Sequence, residues 1–273
     1  MKAACRQITG SGKTLGFVPT MGALHAGHLS LVRSAQARCR ATAVSIFVNP
    51  LQFGPTEDLD KYPRPLERDA AMLEELGVDL LFLPSVEEMY PPGATTYVVV
   101  DELSNRLDGA SRPGHFRGVT TVVTKLFEIV RPECAFFGQK DAAQVAVLRK
   151  MVRDLDMDVQ LVVCPIVREP DGLAMSSRNV YLTPEQRRQS LVLHRALMRV
   201  QLAADRGERS APALRALGLQ VIAEEPAARL DYLVIVHPDT LEPLDDVSRG
   251  ALVAVAAHFG TTRLIDNLLL TLA

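Results

Sequence analysis

Short apolar runs alternate with longer amphipathic segments through the first part of this chain, and that alternation constrains its fold more than any other feature. Leu15 to Pro19, Ala43 to Val48, Asp79 to Leu83, Glu133 to Phe137 and Gln160 to Cys164 read as strands, with helical patterns between several of them, as at Glu67 to Leu76 and Val119 to Ile129. Continuous apolar runs suit strands buried on both faces. The pattern therefore predicts βαβ units and a Rossmann-like, doubly wound parallel α/β sheet. Ligands of such sheets bind outside the carboxyl ends of the strands. His25, Asn49, Gln52, Gly138, Lys140 and Asp141 all follow closely after predicted strands and are expected on one edge of the sheet.

After Val167 the pattern changes. Arg168-Glu169-Pro170-Asp171-Gly172 is rich in turn formers, and a long helix is expected from Thr183-Pro184-Glu185, with Thr183 as N-cap and Pro184 in the first turn. Ser190 to Leu217 reads as an exposed amphipathic helical region. Leu230 to Val236 and Ala251 to Ala257 read as strands, with a final apolar run from Leu264. Two domains are predicted, 1–169 and 170–273, the second a small α+β lid.

Thr20-Met21-Gly22-Ala23-Leu24-His25-Ala26-Gly27-His28 carries the strongest chemical signal. A glycine turn joins an apolar strand to a segment in which Leu24, His28, Leu31, Val32 and Ala35 fall at helical spacing, so His25 and His28 lie at the first turn. A helix N-terminus presents unpaired N–H groups and a partial positive charge, and two imidazole donors there suit a polyanion such as a nucleotide triphosphate. Two partly buried structural histidines are the alternative reading.

Other clusters are weaker alone. Gly138-Gln139-Lys140-Asp141 places an ammonium for a phosphate and a carboxylate for ribose hydroxyls. Met175-Ser176-Ser177-Arg178-Asn179 combines hydroxyls, a guanidinium and an amide in an expected loop, or is simply a hydrophilic connection with an N-cap serine. Asn49-Pro50-Leu51-Gln52-Phe53 sets two amides beside apolar side chains, as a small ligand with hydroxyls and methyls would need, or as an ordinary turn would. Arg112, His115 and Arg117 form a cationic cluster that suits either an anion or a salt-bridged loop. Gly10-Ser11-Gly12-Lys13-Thr14 mimics the end of a P-loop. Gln7 stands where the leading glycine is required and the strand follows the lysine, so it reads as a turn.

Taken in order, these segments resemble the HxGH superfamily of nucleotidylyl transferases and class I aminoacyl-tRNA synthetases, and within it the pantothenate synthetase family. Phe17 to His28, Ile46 to Phe53, Arg112 to Val119, Phe137 to Asp141 and Met175 to Asn179 carry the likeness, which runs from about Leu15 to Leu182. The resemblance implies an ATP-dependent ligase of the coenzyme A pathway that joins pantoate to β-alanine through a pantoyl adenylate, releasing AMP and pyrophosphate. His25, His28, Lys140 and Arg178 would be catalytic. Met21, Gly22, Ala23, Leu24, Ala26, Gly27, Gly138, Gln139, Asp141, Val167, Met175, Ser176 and Ser177 would join them around ATP. Asn49, Gln52 and Gln144 would bind pantoate or β-alanine, with Met21 and Phe53 against the apolar part of pantoate. Mg²⁺ would accompany ATP through phosphate oxygens and water, without a dedicated protein metal site. A homodimer in the cytoplasm is expected.

The chain departs from the family pattern where Gln139 replaces the usual Glu and Ala142-Ala143 the usual Tyr-Gln pair, and Met1 to Thr14 is a shorter lead into the first strand than members commonly carry. Two other functions fit the same motifs: a nucleotidylyl transferase that stops at a stable nucleotide conjugate, and a nucleotide-binding regulatory module without turnover.

Composition narrows the rest. The 273 residues are 48% hydrophobic, enough for a substantial core. A net charge of -2 offers no electrostatic footprint for nucleic acid, so no nucleic-acid partner is expected. Cys5, Cys39, Cys134 and Cys164 lack metal-site spacing and suit free thiols in a reducing compartment. No apolar run predicts export or membrane insertion.

Overall fold

The computed structural model describes residues 1–55 and 57–271. Through the first part of the chain the elements run α1 (Lys2–Gly10), β1 (Leu15–Thr20), α2 (Ala26–Arg38), β2 (Ala41–Ile46), α3 (Leu66–Glu75), β3 (Leu80–Phe82), the short α4 (Val86–Met89) and α5 (Asp108–Ser111), α6 (His115–Val130), β4 (Cys134–Gly138), α7 (Ala142–Asp154) and β5 (Gln160–Cys164). The five strands form one parallel sheet in the order β3-β2-β1-β4-β5. This is the doubly wound α/β arrangement expected from the sequence, and the strand order reverses between β1 and β4.

Burial explains the strand signals. The central strands β1, β2 and β4 are buried through most of their length, whereas β3 and β5 at the edges are only partly covered. β1 pairs with β2 from Leu15 to Thr20 but with β4 only at Gly16 and Phe17. Pro19, which has no N–H to donate, lies in the stretch without a β4 partner. At Gly16 a β-carbon would come within 3.2 Å of Ala35, Cys39 and Phe136, so the absence of a side chain lets α2 seat closely on β1. Leu31, Val32 and Ala35 of α2 pack there with Val18, Val44 and Phe136.

The remaining elements are α8 (Pro184–Gln189), α9 (Val192–Asp205), α10 (Ala211–Ala223) and the strands β6 (Ala228–Val236), β7 (Ala251–Phe259) and β8 (Thr262–Leu270), which form an antiparallel sheet in the order β6-β7-β8. Residues from α9, α10 and one face of the sheet share a second core that includes Leu193, Leu197, Val200, Leu214, Val253 and Val255. The chain divides into two compact units: Met1–Gly138 with Val147–Pro165, and Gln139–Ala146 with Ile166–Ala273. The second unit thus includes the turn after β4 and the start of α7.

Three details differ from the sequence reading. Helix α1 was not expected. The long helix from Thr183 is split: α8 has the anticipated Thr183 cap and Pro184 start, but it stops at Gln189, where buried Ser190 turns its hydroxyl onto the Arg187 carbonyl. Such a local bond competes with helix continuation. The Ser190 to Leu217 region also buries a full face, since Val192, Leu193, Ala196, Leu197 and Val200 are nearly inaccessible. Its arginines lie toward the opposite, solvated side, which is the face a composition rich in Arg signals. The Gly10 to Thr14 segment is a turn between α1 and β1, with Gly12 at φ +80°.

Candidate active site

The connection from β1 to α2 is tightly built. Gly22 and Ala23 both adopt left-handed backbone, at φ +84° and +50°. The Thr20 hydroxyl donates to the Ser45 carbonyl at 2.8 Å and accepts the Gly22 amide at 3.2 Å, while the Leu24 amide donates to Asp69 Oδ1 at 2.9 Å. Only glycine suits position 22 on two counts: its φ, and a β-carbon that would sit 2.9 Å from Ile46 Cγ2 and 3.1 Å from Asp69 Oδ2.

His25 is the N-cap of α2. Its Nδ1 accepts the Gly27 amide at 3.1 Å, and His28 Nδ1 accepts the His25 amide at 3.4 Å, a capping box made from two imidazoles. The ring centroids are 4.1 Å apart. Because each Nδ1 accepts, the proton of each neutral ring belongs on Nε2. The histidines therefore stand as two Nε2–H donors at the N-terminus of a thirteen-residue helix.

Beyond β2, Asn49 caps the 3-10 turn Pro50–Gln52 and is 1% exposed. Its Nδ2 donates to Gln52 Oε1 at 3.1 Å and to the Gly118 carbonyl at 3.0 Å. Its Oδ1 accepts the Leu51 amide at 3.3 Å and the Tyr90 hydroxyl at 2.8 Å. All four hydrogen-bonding positions of that amide are thus occupied within the protein, and Asn49 orients Gln52. The Gln52 Nε2 lies 2.9 Å from Met21 Sδ, bringing two predicted substrate residues together, while Phe53 packs edge-on to Tyr62. A β-carbon on Gly118 would overlap the Leu51 carbonyl, so glycine lets α6 press its backbone on this turn.

The cationic cluster buttresses the same turn. Arg112 forks onto Glu57 at 2.8 and 2.5 Å and donates to the Gln52 carbonyl at 3.2 Å. His115 Nδ1 lies 2.8 Å from that carbonyl and its Nε2 lies 3.1 Å from Arg112 Nη1, which requires Nδ1–H donating and Nε2 accepting. Burial first, and then the Arg112 charge, pull the His115 pKa down to about 4, so the ring is neutral. Burial opposes ionisation of Glu57, but the Arg112 guanidinium outweighs it and holds the carboxyl below its usual range. Arg117 stacks 3.6 Å over Tyr97. Of the two readings of this cluster, the contacts are those of the salt-bridged loop.

In the second unit, Gln139, Lys140 and Asp141 form a 3-10 turn directly after β4, and Lys140 Nζ lies 3.6 Å from Asp141 Oδ1. Gln144 is half-buried in the first turn of α7. Asn267 of β8 donates through Nδ2 to the carbonyls of Gln139 and Lys140, both at 2.9 Å, and accepts from Gln139 Nε2 at 3.1 Å. Val167 and Met175 meet across a short hairpin, the Met175 amide donating to the Val167 carbonyl at 3.0 Å, with Gly172 at φ +98° at its tip. Ser176 caps the 3-10 turn Ser177–Tyr181 by accepting the Arg178 amide at 3.2 Å. Asn179 ties that turn to Glu169, and Arg187 bridges Glu169 and Asp171.

Several of these groups escaped the sequence reading. Asp69 is a carboxylate on the buried face of α3, in register with Leu73 and Leu76, and Asp266-Asn267 interrupts the apolar run of β8. A polar residue on an apolar stripe was the available signal in both cases. Tyr90, Glu57 and Gly118 gave none. Among the described residues, no group of three or more His, Cys, Asp and Glu is placed to hold a metal ion, and no helix is long and apolar enough to cross a membrane.

Comparison with known proteins places these features in context. The family model described as pantoate-beta-alanine ligase matches residues 1–269. A pantothenate synthetase from Koribacter versatilis is 64% identical over 273 residues, covering 100% of this chain and 94% of the relative. A crystal structure of pantothenate synthetase from Thermus thermophilus is similar with a TM-score of 0.91 at 54% identity, covering 93% of this chain and 92% of that one. The pantoate-beta-alanine ligase of Francisella tularensis, complexed with beta-gamma ATP and beta-alanine, aligns with a TM-score of 0.78 at 35% identity over 98% and 95% of the two chains.

Proposed function

The chain belongs to the pantoate-β-alanine ligase family and catalyses the ATP-dependent condensation of pantoate with β-alanine, and from that premise we propose how its side chains divide the work. A carboxylate acylates poorly because oxide is a poor leaving group. One oxygen of the pantoate carboxylate attacks the α-phosphorus of ATP, the bond from that phosphorus to the β-bridging oxygen breaks, and pyrophosphate departs, leaving pantoyl adenylate. The amine of β-alanine then attacks the activated carbonyl. A C–N bond forms, the bond to AMP breaks, and the amine gives up a proton.

Both steps depend on alignment and on stabilising charge that moves toward the leaving group. The observation that carries the reading is the reciprocal capping of His25 and His28, which holds two Nε2–H donors in fixed orientation at a helix N-terminus. These donors bind phosphate oxygens and follow the growing negative charge. Lys140, Ser176, Ser177 and Arg178 hold the triphosphate, and Gly138, Gln139, Asp141, Val167 and Met175 border the nucleotide. Gln52 and Gln144 hydrogen-bond pantoate, with Met21 and Phe53 against its methyl groups, and Asn49 acts by orienting Gln52. ATP enters as its Mg²⁺ complex, the ion held chiefly by phosphate oxygens and water. A homodimer in the cytoplasm, where ATP is made available, is the setting we assign on the strength of the family resemblance, and sedimentation of the purified protein tests its dimeric state.

The decisive experiment is pyrophosphate release from MgATP with pantoate, with and without β-alanine. Pantoate-dependent release, followed by AMP and pantothenate once β-alanine is added, is the expected result. Release that ignores pantoate would overturn the two-step reading.

A further inference from the structure

Lys140 stands on a turn of only three residues, and the position of its ammonium depends on what holds the backbone of that turn. One side chain holds it through three hydrogen bonds. Asn267 gives both Nδ2 hydrogens to successive carbonyls, Gln139 and Lys140, and takes Gln139 Nε2 on its Oδ1. Asn267 is 2% exposed and is itself anchored. Its strand β8 is registered to β7 along its length, with Asn267 opposite Ala254, and its own amide donates to Asp266 Oδ1 at 2.8 Å.

Successive strand residues point to opposite faces. Asn267 therefore reaches the lysine turn from one face of β8 while Asp266 reaches Arg168 from the other. Arg168 grips both carboxylate oxygens, at 2.6 and 2.9 Å, and donates from Nη1 to the Gly172 carbonyl at 3.0 Å. Asp266 is 3% exposed, and a buried fork of this kind holds its members in one arrangement. Gly172 is the tip of the hairpin that leads to Met175, Ser176, Ser177 and Arg178. Two consecutive residues of β8 thus tie the lysine turn and the root of the Ser-Ser-Arg loop to one rigid strand.

We propose that Asn267 is a positioning residue for adenylate formation, holding the Lys140 turn so that its ammonium meets the triphosphate, with Asp266 and Arg168 setting the second phosphate loop from the same strand. The inference rests on the assignment of Lys140 to ATP made above. An ammonium displaced by about 1 Å from its productive place costs on the order of 100-fold in rate.

The test is a double-mutant cycle on pantoate-dependent pyrophosphate release, combining Lys140→Ala with Asn267→Ala, each protein's folded fraction being measured by circular dichroism and rates normalised to it. Asn267→Ser, which keeps one donor in a smaller side chain, gives a second variant should the alanine fold poorly. The expected result is a loss of about 30- to 100-fold for Asn267→Ala, a smaller loss for the serine, and a further loss under about threefold when alanine replaces Asn267 in the Lys140→Ala background. The KM for β-alanine should stay within about twofold, since amide formation occurs after pyrophosphate has left. If Lys140→Ala is severely impaired while folded Asn267 variants stay near the parent rate, or if the two losses multiply in full, the positioning role is overturned and the assignment of Lys140 stands. If Lys140→Ala itself turns over normally, the assignment of Lys140 fails and the inference falls with it.

Discussion

His28 Nδ1 sits 3.4 Å from the backbone amide of His25, accepting its hydrogen, while the His25 ring accepts the amide of Gly27. Each ring is fixed by the backbone of the same helix turn, so neither imidazole has to be ordered when a ligand arrives. Donors held in place before charge develops are worth more than donors that must reorient. The spacing His-x-x-His has a structural purpose, as the cap of α2, and that purpose is what prepares it for chemistry.

Replacing His28 by Ala removes a donor and half of the cap. Pantothenate formation should fall by about 100- to 1,000-fold, whereas the lost cap should cost only about 1 kcal/mol of stability. Steady-state turnover and urea unfolding, read on the same preparation, check the pair of effects. Near-normal turnover would remove His28 from the mechanism.

Gly22→Ala and Gly12→Ala form a matched pair. Both positions have left-handed backbone, at φ +84° and +80°, but a β-carbon at Gly22 meets Ile46 and Asp69, whereas one at Gly12 has nothing within 4 Å. Each should lose about 1 kcal/mol from backbone conformation alone, and Gly22→Ala should lose more, together with most of its activity, because the loop carrying His25 must move. Gly12→Ala should keep its activity. Equal activity in the two variants would show that the loop tolerates displacement.

His115 makes stability depend on pH. Its folded pKa of about 4 lies below the ordinary value of 6.5, so between those values the unfolded chain binds a proton that the native ring does not. Stability from this residue is complete above pH 6.5, declines as pH falls toward 4, and is flat below. The decline amounts to about 3 kcal/mol. Urea unfolding of the parent and of His115→Gln at pH 7.5 and 4.5 should show a shallower decline in the variant. An identical decline would mean that the native ring is already protonated at the lower pH.

The sheet was legible because its signal is local. A strand such as β1, buried on both faces, has to be apolar throughout, and a helix such as α2, which covers it, has to be apolar every third or fourth residue. The histidines were legible for a related reason, since a glycine turn between those two patterns marks a helix N-terminus whatever the rest of the molecule does. The break at Ser190 was not, because the local bond from its hydroxyl to the Arg187 carbonyl leaves no mark in the apolar periodicity. Nor was the purpose of Arg112 and His115 visible. Their partners, Glu57 and the Gln52 carbonyl, are 55 to 63 residues away along the chain.

What the sequence determined by itself was the alternation of strands and helices from β1 to β5, the identity of the chemical groups, and the strand ends that present them. All of these follow from periodicity and turn chemistry over a few residues. The tertiary structure alone decided which polar groups are already spent on the protein. It committed the Asn49 amide to Gln52, Leu51, Tyr90 and Gly118, and it placed Asp69 under Leu24 and Asn267 under the Lys140 turn. A buried donor or acceptor must find a partner, but the partner can come from any distance along the chain. Only the folded arrangement determines which side chains remain to meet a substrate and which hold the others in place.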